Sequence, residues 1–486
     1  MTAELLARLA GPCAAGGLAV LLLATPRWAR LTGLAAWAGG LALFVPFLAP
    51  GGRAGTLVAA LVAGAALGAA VAAALRRWPW ALAFLALAAV PARLPVSFVD
   101  TSANLLLPLY AVVGAGALAL SWSLWRDPPR ARELGLVSWP VAALVAWISL
   151  SALWSDDVHE AAIELFFFVL PFPVLALALA RLPWSERALG SLARMLGAMA
   201  LVFAAVGGWQ WATRDLFWNP KVIAGNAYAP FYRVNSVFWD PSIYGRFLDV
   251  AILTALAFLL FGIWRRWDLA LGVLVVVVWA GLLLSFSQSS FVALFAGILL
   301  AAAIAWRWRA AAALGLVAVV MIAVGFAAPE FHRVRESVTA HHSGLNRVTQ
   351  GRFGLASGGI EIALDHPVTG VGVGGFGKAF LDSGANRQGM KDPESHTALV
   401  TAAAETGLIG LALFVWVVAA GLALAFRRTR SASVAIRLAG LVAGICFAAI
   451  FVHSLFYSAF LEDPLTWVFL ALAANAANAA TAANPS

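Results

Sequence analysis

The chain has 486 residues, 63% of them apolar and 11% charged, with a mean hydropathy of +0.89 and a formal net charge of +9. These proportions lie far outside globular usage and exclude a soluble enzyme or a disordered chain, which leaves a polytopic membrane protein. Nucleic acid is not an expected partner.

The apolar residues fall into segments of about 17 to 25, each long enough to cross roughly 30 Å of hydrocarbon as a helix. They are continuous Ala/Leu/Val runs without the two-residue alternation of a lumen-facing strand, so helices are expected and a barrel is not. Fifteen spans are predicted, beginning near residues 5, 32, 55, 80, 104, 135, 161, 190, 242, 269, 289, 310, 397, 438 and 465. The first, from about Leu5 to Ala24, has no strong basic n-region and is followed by further spans, so it reads as retained. Cys13 and Cys446 both sit in apolar segments far apart, and no disulfide is expected. The fold class is therefore all-α, with about 14 to 15 transmembrane helices and one large, partly helical loop. The expected organisation is an amino-terminal bundle at 1–211, a first loop at 212–241, central helices at 242–327, a large loop at 328–396 and carboxy-terminal helices with a tail at 397–486.

Orientation follows from arginine, because short cytoplasmic loops hold the excess of Lys and Arg. Basic clusters recur at 27–30, 76–78, 126–132, 181–187, 265–267, 306–309 and 427–430, while the short loops between them ("VSFVDTS", "WSDDVHE", "SQSS", "LEDP") are acidic or lack arginine. That alternation puts all seven clusters on the cytoplasmic side and both long loops on the outer side. Yet the long loops are basic. They contain Arg214, Lys221 and Arg233 in the first, and Arg333, Arg335, Arg347, Arg352, Lys378, Arg387 and Lys391 in the second, with Arg246 just inside the following span. Insertion does not explain charge on that side. An arginine within the first turns of an apolar run is costly unless it faces a partner or cavity, and the planar donor fork of arginine suits phosphate. On an outer face that cytosolic nucleotides do not reach, a phosphate-bearing lipid precursor is the natural anion.

Histidine completes the pattern. His396 stands in "PESHTALV", where the large loop turns continuously apolar. An unperturbed pKa near 6.5 suits a general base at neutral pH, although a lone histidine at a helix start is more often an interfacial cap. Asp240, ahead of Pro241, is an ordinary helix-start signal. Glu405 lies within a span beside Gly407 and Gly410, where close packing of the glycines on a neighbour is the simplest account of the motif. "GVGVGG" at 370–375 satisfies G-x-G-x-x-G, but it opens no evident helix and belongs to no βαβ unit, so it reads as a tight turn that brings backbone close to a substrate or a second segment. His332, His341 and His342 with Glu336 fit no zinc spacing, and neither metal nor cofactor is expected. Trp209, Trp211, Trp218 and Trp239 read as an interfacial aromatic belt.

At "GRFGLASGGIEIALDHPVTGVGVGGFGKAF", followed by "SHTALVTAAAETGLIGLALF", the chain resembles the superfamily of bacterial O-antigen ligases and O-antigen polymerases. The matching positions are Arg352 at the head of a short helix, the "DHPVTGVG" of 365–372, His396 at the start of a span and the "ETGLIG" of 405–410. "RVNSVFWDPSIYGRFLDVA" is similar to a second family stretch, and together the likeness covers about residues 230–480. The chain departs from the family at Gln288, where an arginine is common, and at Thr397, where Asn or Ser often follows the histidine.

The resemblance implies a twelve-helix core of the GT-C kind with extra amino-terminal helices, in a bacterial cytoplasmic membrane. It implies an inverting, metal-independent glycosyltransferase that moves a glycan from an undecaprenyl (polyprenyl) diphosphate carrier to a hydroxyl acceptor on the outer face. The acceptor would be lipid A core, another glycan or a protein hydroxyl, so ligase, polymerase and protein O-glycosyltransferase remain alternatives. His396 would be the general base. Arg352 and Arg246, with Arg233 behind them, would bind the diphosphate, and Asp240, Gln288 and Glu405 would be secondary. A transporter or lipid flippase is the alternative of another class, but such folds show internal repeats and charges near mid-membrane, and neither stands out here.

Overall fold

The computed structural model describes residues 3–48, 66, 68–97, 102–126, 132–228, 231–261, 265–327, 351–383, 393, 395–427 and 434–483. Helices dominate, as they must where no water is present to satisfy exposed backbone N–H and C=O groups. They are α1 (Ala3–Leu23), α2 (Arg27–Leu48), α3 (Ala81–Ala89), α4 (Leu107–Arg126), α5 (Ser138–Ser151), α6 (Val158–Ala180, with a π-helical turn over Leu165–Val169), α7 (Glu186–Thr213) and α8 (Pro220–Tyr228). After these come α9 (Pro241–Leu260), α10 (Asp268–Ser285), α11 (Gln288–Trp306), α12 (Trp308–Ala327), α13 (Arg352–Asp365), α14 (Phe376–Asp382), α15 (Ala398–Phe426), α16 (Val434–Ser454) and α17 (Pro464–Ala483). Among the described residues, ten helices are long and apolar enough to cross a membrane: α1, α2, α4, α6, α7, α9, α10, α11, α15 and most of α16.

The protein is thus an all-α polytopic membrane protein, with one hairpin among the described residues. The span expected near residue 80 is only the nine-residue α3, followed by β1 (Leu94–Ser97) paired antiparallel with β2 (Ser102–Leu105). Pro91 and Pro95 account for the early stop, since proline lacks the N–H that a continuing helix would need to donate. The span expected near 55 lies mostly outside the described residues. The segment near 135 is a shorter apolar helix, Gly135–Ser151. The last expected span, α17, is long enough but is not among the ten, and its Asn475 and Asn478 are spent on carbonyls of Ala180, Leu182 and Glu133.

Local sequence explains the starts. Ser185, Asp240 and Ser287 cap α7, α9 and α11 by accepting from Ala188 N, Ser242 N and Ser290 N. The α1–α2 pair packs through small residues, so closely that a Cβ on Gly17 would come within 2.6 Å of the Gly33 carbonyl oxygen.

The two ends of the bundle are built differently. At one end, Arg8 near the start of α1 donates to the carbonyls of Leu153 and Ser155, and the α5–α6 turn there carries the large loop. At the other end of α1, Arg30 donates to the Leu21 carbonyl and makes a two-pronged pair with Glu133 at 2.8 and 2.7 Å, which Arg181 joins from the end of α6. All three side chains are buried. Arg30 and Arg181 belong to two of the basic clusters that alternate along the sequence, and Glu133 neutralises them internally.

Candidate functional site

The large loop is anchored in a broken transmembrane helix. Gly407, inside α15, adopts φ 67° and ψ −171°, a conformation open in practice only to glycine, and a Cβ there would lie 2.2 Å from the Val368 carbonyl oxygen. The break strands the carbonyls of residues 404–406, and each finds a substitute donor. Val371 N donates to Ala404 O at 2.9 Å, Gly372 N to Glu405 O at 2.8 Å, and Trp147 Nε1 to Thr406 O at 2.8 Å. In return, Leu408 N donates to Pro367 O at 2.8 Å.

The "DHPVTGVG" turn and the "ETGLIG" helix are therefore two halves of one joint. Irregular backbone at such a place is tolerated because protein surrounds it. The glycine-rich turn does lead into a helix, the seven-residue α14, which corrects the expectation that it opens none. Phe376 N at its start donates to Glu405 Oε1 at 3.3 Å, so the observed contact of Glu405 is structural. On the other side, Val373 N donates to Ser151 Oγ, and Ser155 Oγ donates to Val373 O.

This joint fixes the start of α15, and His396 stands two residues ahead of it. His396 has φ 56°, a left-handed conformation uncommon outside glycine and enriched at functional positions. Flanking hydrogen bonds hold it: Ser395 Oγ accepts from Thr397 N at 3.2 Å and pairs with Thr401 Oγ1.

Burial pushes the imidazole down to a pKa of about 4; the Arg352 charge adds to the effect and the Asp240 charge opposes it. The ring is therefore neutral at pH 7. Arg352 heads α13 as expected, and among the described residues its guanidinium has no hydrogen-bond or ion-pair partner. Arg233 comes from the first loop, where Asn226 clamps its backbone and its Nε donates to Ser285 O at 3.2 Å. Burial lowers its pKa, Asp240 counteracts this, and Arg352 adds to it. Asp240 itself is spent in part as the cap of α9. Two arginines, one neutral histidine and one carboxylate from three separate segments thus share one electrostatic neighbourhood. Arginine stays charged in such a place, and an anion would relieve the cost of two neighbouring cations.

Arg246 is placed differently. Its side chain is 2% exposed, its Nε stands 2.7 Å from Asp463 Oδ2, its Nη1 donates to Ala459 O at 2.9 Å, and its guanidinium centre lies 5.8 Å from the Tyr457 ring centroid. It is committed to the turn before α17. Tyr457 also faces His453 at 5.8 Å and feels the charge of Arg233, so it joins the Arg246 layer to the Arg352 layer. His453 Nε2 shares a hydrogen bond with Ser289 Oγ at 3.0 Å. Gln288, on the first turn of α11, is exposed beside that pair. His332, His341, His342 and Glu336 lie outside the described residues, and among those described no group of three or more potential metal ligands occurs.

Comparison with known families matches residues 273–415 to the family described as O-antigen ligase. This stretch of the chain is similar to an O-antigen ligase domain. That domain begins in α10 and ends past the α15 break, so it contains Gln288, Arg352, His396 and the whole glycine joint. Arg233, Asp240 and Arg246 precede the matched span, and Tyr457 and Asp463 follow it. No characterised protein sequence matches the chain.

The ligase domain alone therefore does not hold the cluster; folding adds the flanking segments. Tyr457 and Asp463 escaped the sequence reading. Asp463 sits in "LEDP", which reads as an ordinary acidic outer loop, and its only signal was that α9 carries an unexplained arginine needing a partner.

Proposed function

We propose that the protein is a membrane glycosyltransferase of the O-antigen ligase type. It transfers a glycan from a polyprenyl diphosphate to an acceptor hydroxyl on the outer face of the bacterial cytoplasmic membrane. The observation that carries this reading is the shared neighbourhood of His396, Arg352, Arg233 and Asp240, at the junction of a loop and a membrane helix.

The step is a single displacement. The acceptor oxygen bonds to the anomeric carbon, the carbon–oxygen bond to the diphosphate breaks with its electron pair leaving on the diphosphate, and the acceptor proton passes to the His396 imidazole. One displacement inverts the anomeric centre. Arg352, which has no ion-pair partner among the described residues, and Arg233 bind the diphosphate and stabilise the charge that grows on it. Arg246, held by Asp463, supports that layer through Tyr457.

A pKa of about 4 makes His396 a weak base in the free protein. Donor binding places negative charge beside Arg352 and offsets the cation that adds to the effect of burial on the ring. Base strength thus arises in the substrate complex, where it is used. An acceptor bound only after the donor would benefit most.

The reading is tested by mixing purified protein with polyprenyl-diphosphate oligosaccharide and acceptor, and by following both product and anomeric configuration. Product of inverted configuration from the native protein, lost in His396→Ala, is expected. Undiminished product from the alanine variant would remove His396 from the reaction, and retained configuration would rule out the single displacement.

A further inference from the structure

At the end of the bundle opposite His396, arginines occur in two electrostatic states. Arg30 and Arg181 share the buried Glu133. Arg76 and Arg77, at the end of the helical stretch 68–77, and Arg126, the last residue of α4, are exposed and meet no carboxylate among the described residues. These three, with Arg181, Trp122 and Ser123, line a cavity of about 630 Å³, a size within the usual range of small-molecule sites, roughly 300–1,000 Å³. Its remaining wall is aliphatic, including Leu82 and Leu120.

The arginines are ordered about one ring. The guanidinium centre of Arg76 lies 3.8 Å from the Trp122 centroid and that of Arg126 lies 4.6 Å from it. Stacking on an aromatic face leaves the donor edge of a guanidinium free and fixes its direction. The bias of arginine toward cytoplasmic loops explains why basic residues stand at this end. It does not explain their convergence on one cavity, around one tryptophan, with no carboxylate beside them among the described residues.

We propose that this cavity binds the phosphodiester headgroup of an anionic phospholipid, with Arg76 and Arg126 gripping the phosphate and Arg77 at the rim. The wall chemistry selects lipid over free phosphate. The cavity passes from guanidinium and hydroxyl groups to leucine side chains at the end of apolar helices, where headgroup and acyl chain meet. Free phosphate would use only the polar half. The site is independent of the transferase reading.

The test uses the full-length protein in neutral detergent. It is titrated with phosphatidylglycerol, phosphatidylcholine or inorganic phosphate, and retained lipid is counted by native mass spectrometry. Phosphatidylglycerol should bind at least tenfold better than phosphatidylcholine and remain bound in millimolar phosphate. Arg126→Gln should weaken it about fivefold, and the pair Arg76→Gln and Arg126→Gln about 25-fold, from the usual contribution of one arginine near a lipid surface. Arg187→Gln, an exposed arginine outside the cavity, should change nothing.

Both substituted side chains are exposed, so fold is retained, and unchanged elution and melting without lipid confirm it. Equal retention by native protein and both cavity variants would overturn the proposal. Full displacement by inorganic phosphate would overturn its lipid assignment in favour of a free-anion site.

Discussion

Arg30 and Arg352 are the same residue type in the same membrane protein, but the first is locked against Glu133 with both forks filled and the second has no partner among the described residues. Burying an ion pair costs desolvation and returns it only through good geometry, so the Arg30–Glu133–Arg181 cluster makes sense as a structural clamp on the ends of α1 and α6. A cation that meets no carboxylate among the described residues, beside a buried histidine, is instead suited to pair with a bound anion. The Arg30 cluster holds the bundle, whereas Arg352, on the reading proposed above, would take its counter-charge from a bound anion.

Four substitutions or conditions probe that contrast. The largest effect is expected from His396→Ala, which should lower transfer by about 10²- to 10⁴-fold, the usual worth of a positioned base, while thermal melting stays unchanged. Glu133→Ala should do the reverse. It leaves two buried arginines facing each other, and removing one partner of such a pair typically costs about 3–5 kcal/mol. Melting should drop steeply and turnover per folded molecule should persist; a stable Glu133→Ala protein would mean that the clamp is ornamental.

Arg352→Gln is expected to cost about 10² to 10³ in kcat with no loss of stability. If it unfolds the protein and spares the rate, the distinction between paired and unpaired arginines collapses. The smallest effect concerns pH. The imidazole must be neutral to accept a proton, so activity falls as pH drops through the pKa of His396, which is about 4 in the free protein. Because kcat/KM reports free enzyme and kcat reports the complex, the acid limb of kcat should lie at higher pH than that of kcat/KM. Coincident limbs would show that bound donor does not change the charge around the ring.

The same shift bears on stability. The folded pKa lies below the ordinary value of 6.5, so the neutral form is favoured by folding. This contribution is complete above about 6.5 and is lost as pH falls toward 4. His396→Ala should therefore remove part of the acid sensitivity of melting.

Much of the arrangement was legible in order but not in space. The helices, the start signal at Asp240 and the loop-to-span position of His396 read from hydropathy, proline and polar punctuation, and the short helix opened by Arg352 was implied by the family resemblance. The short α3 and its hairpin did not, because an apolar run of ordinary length hides two prolines that matter only once the backbone is built. "ETGLIG" looked like small-residue packing between helices. In fact Gly407 breaks its own helix, and the freed carbonyls are what hold the loop. No local pattern announces which segment will donate to stranded carbonyls.

Composition and hydropathy, by themselves, determined a helical membrane protein, since that many apolar residues cannot be covered in water and that backbone cannot be left unpaired in lipid. Local motifs placed His396 and Arg352 in one loop. The resemblance expected Arg233 and Asp240 near them, but the tertiary structure alone decided that Arg246 turns instead to Asp463 and that Tyr457 lies between the two layers. The reason is physical. Charge pairing depends on distance and burial, and residues more than a hundred positions apart acquire both only when the helices close around them.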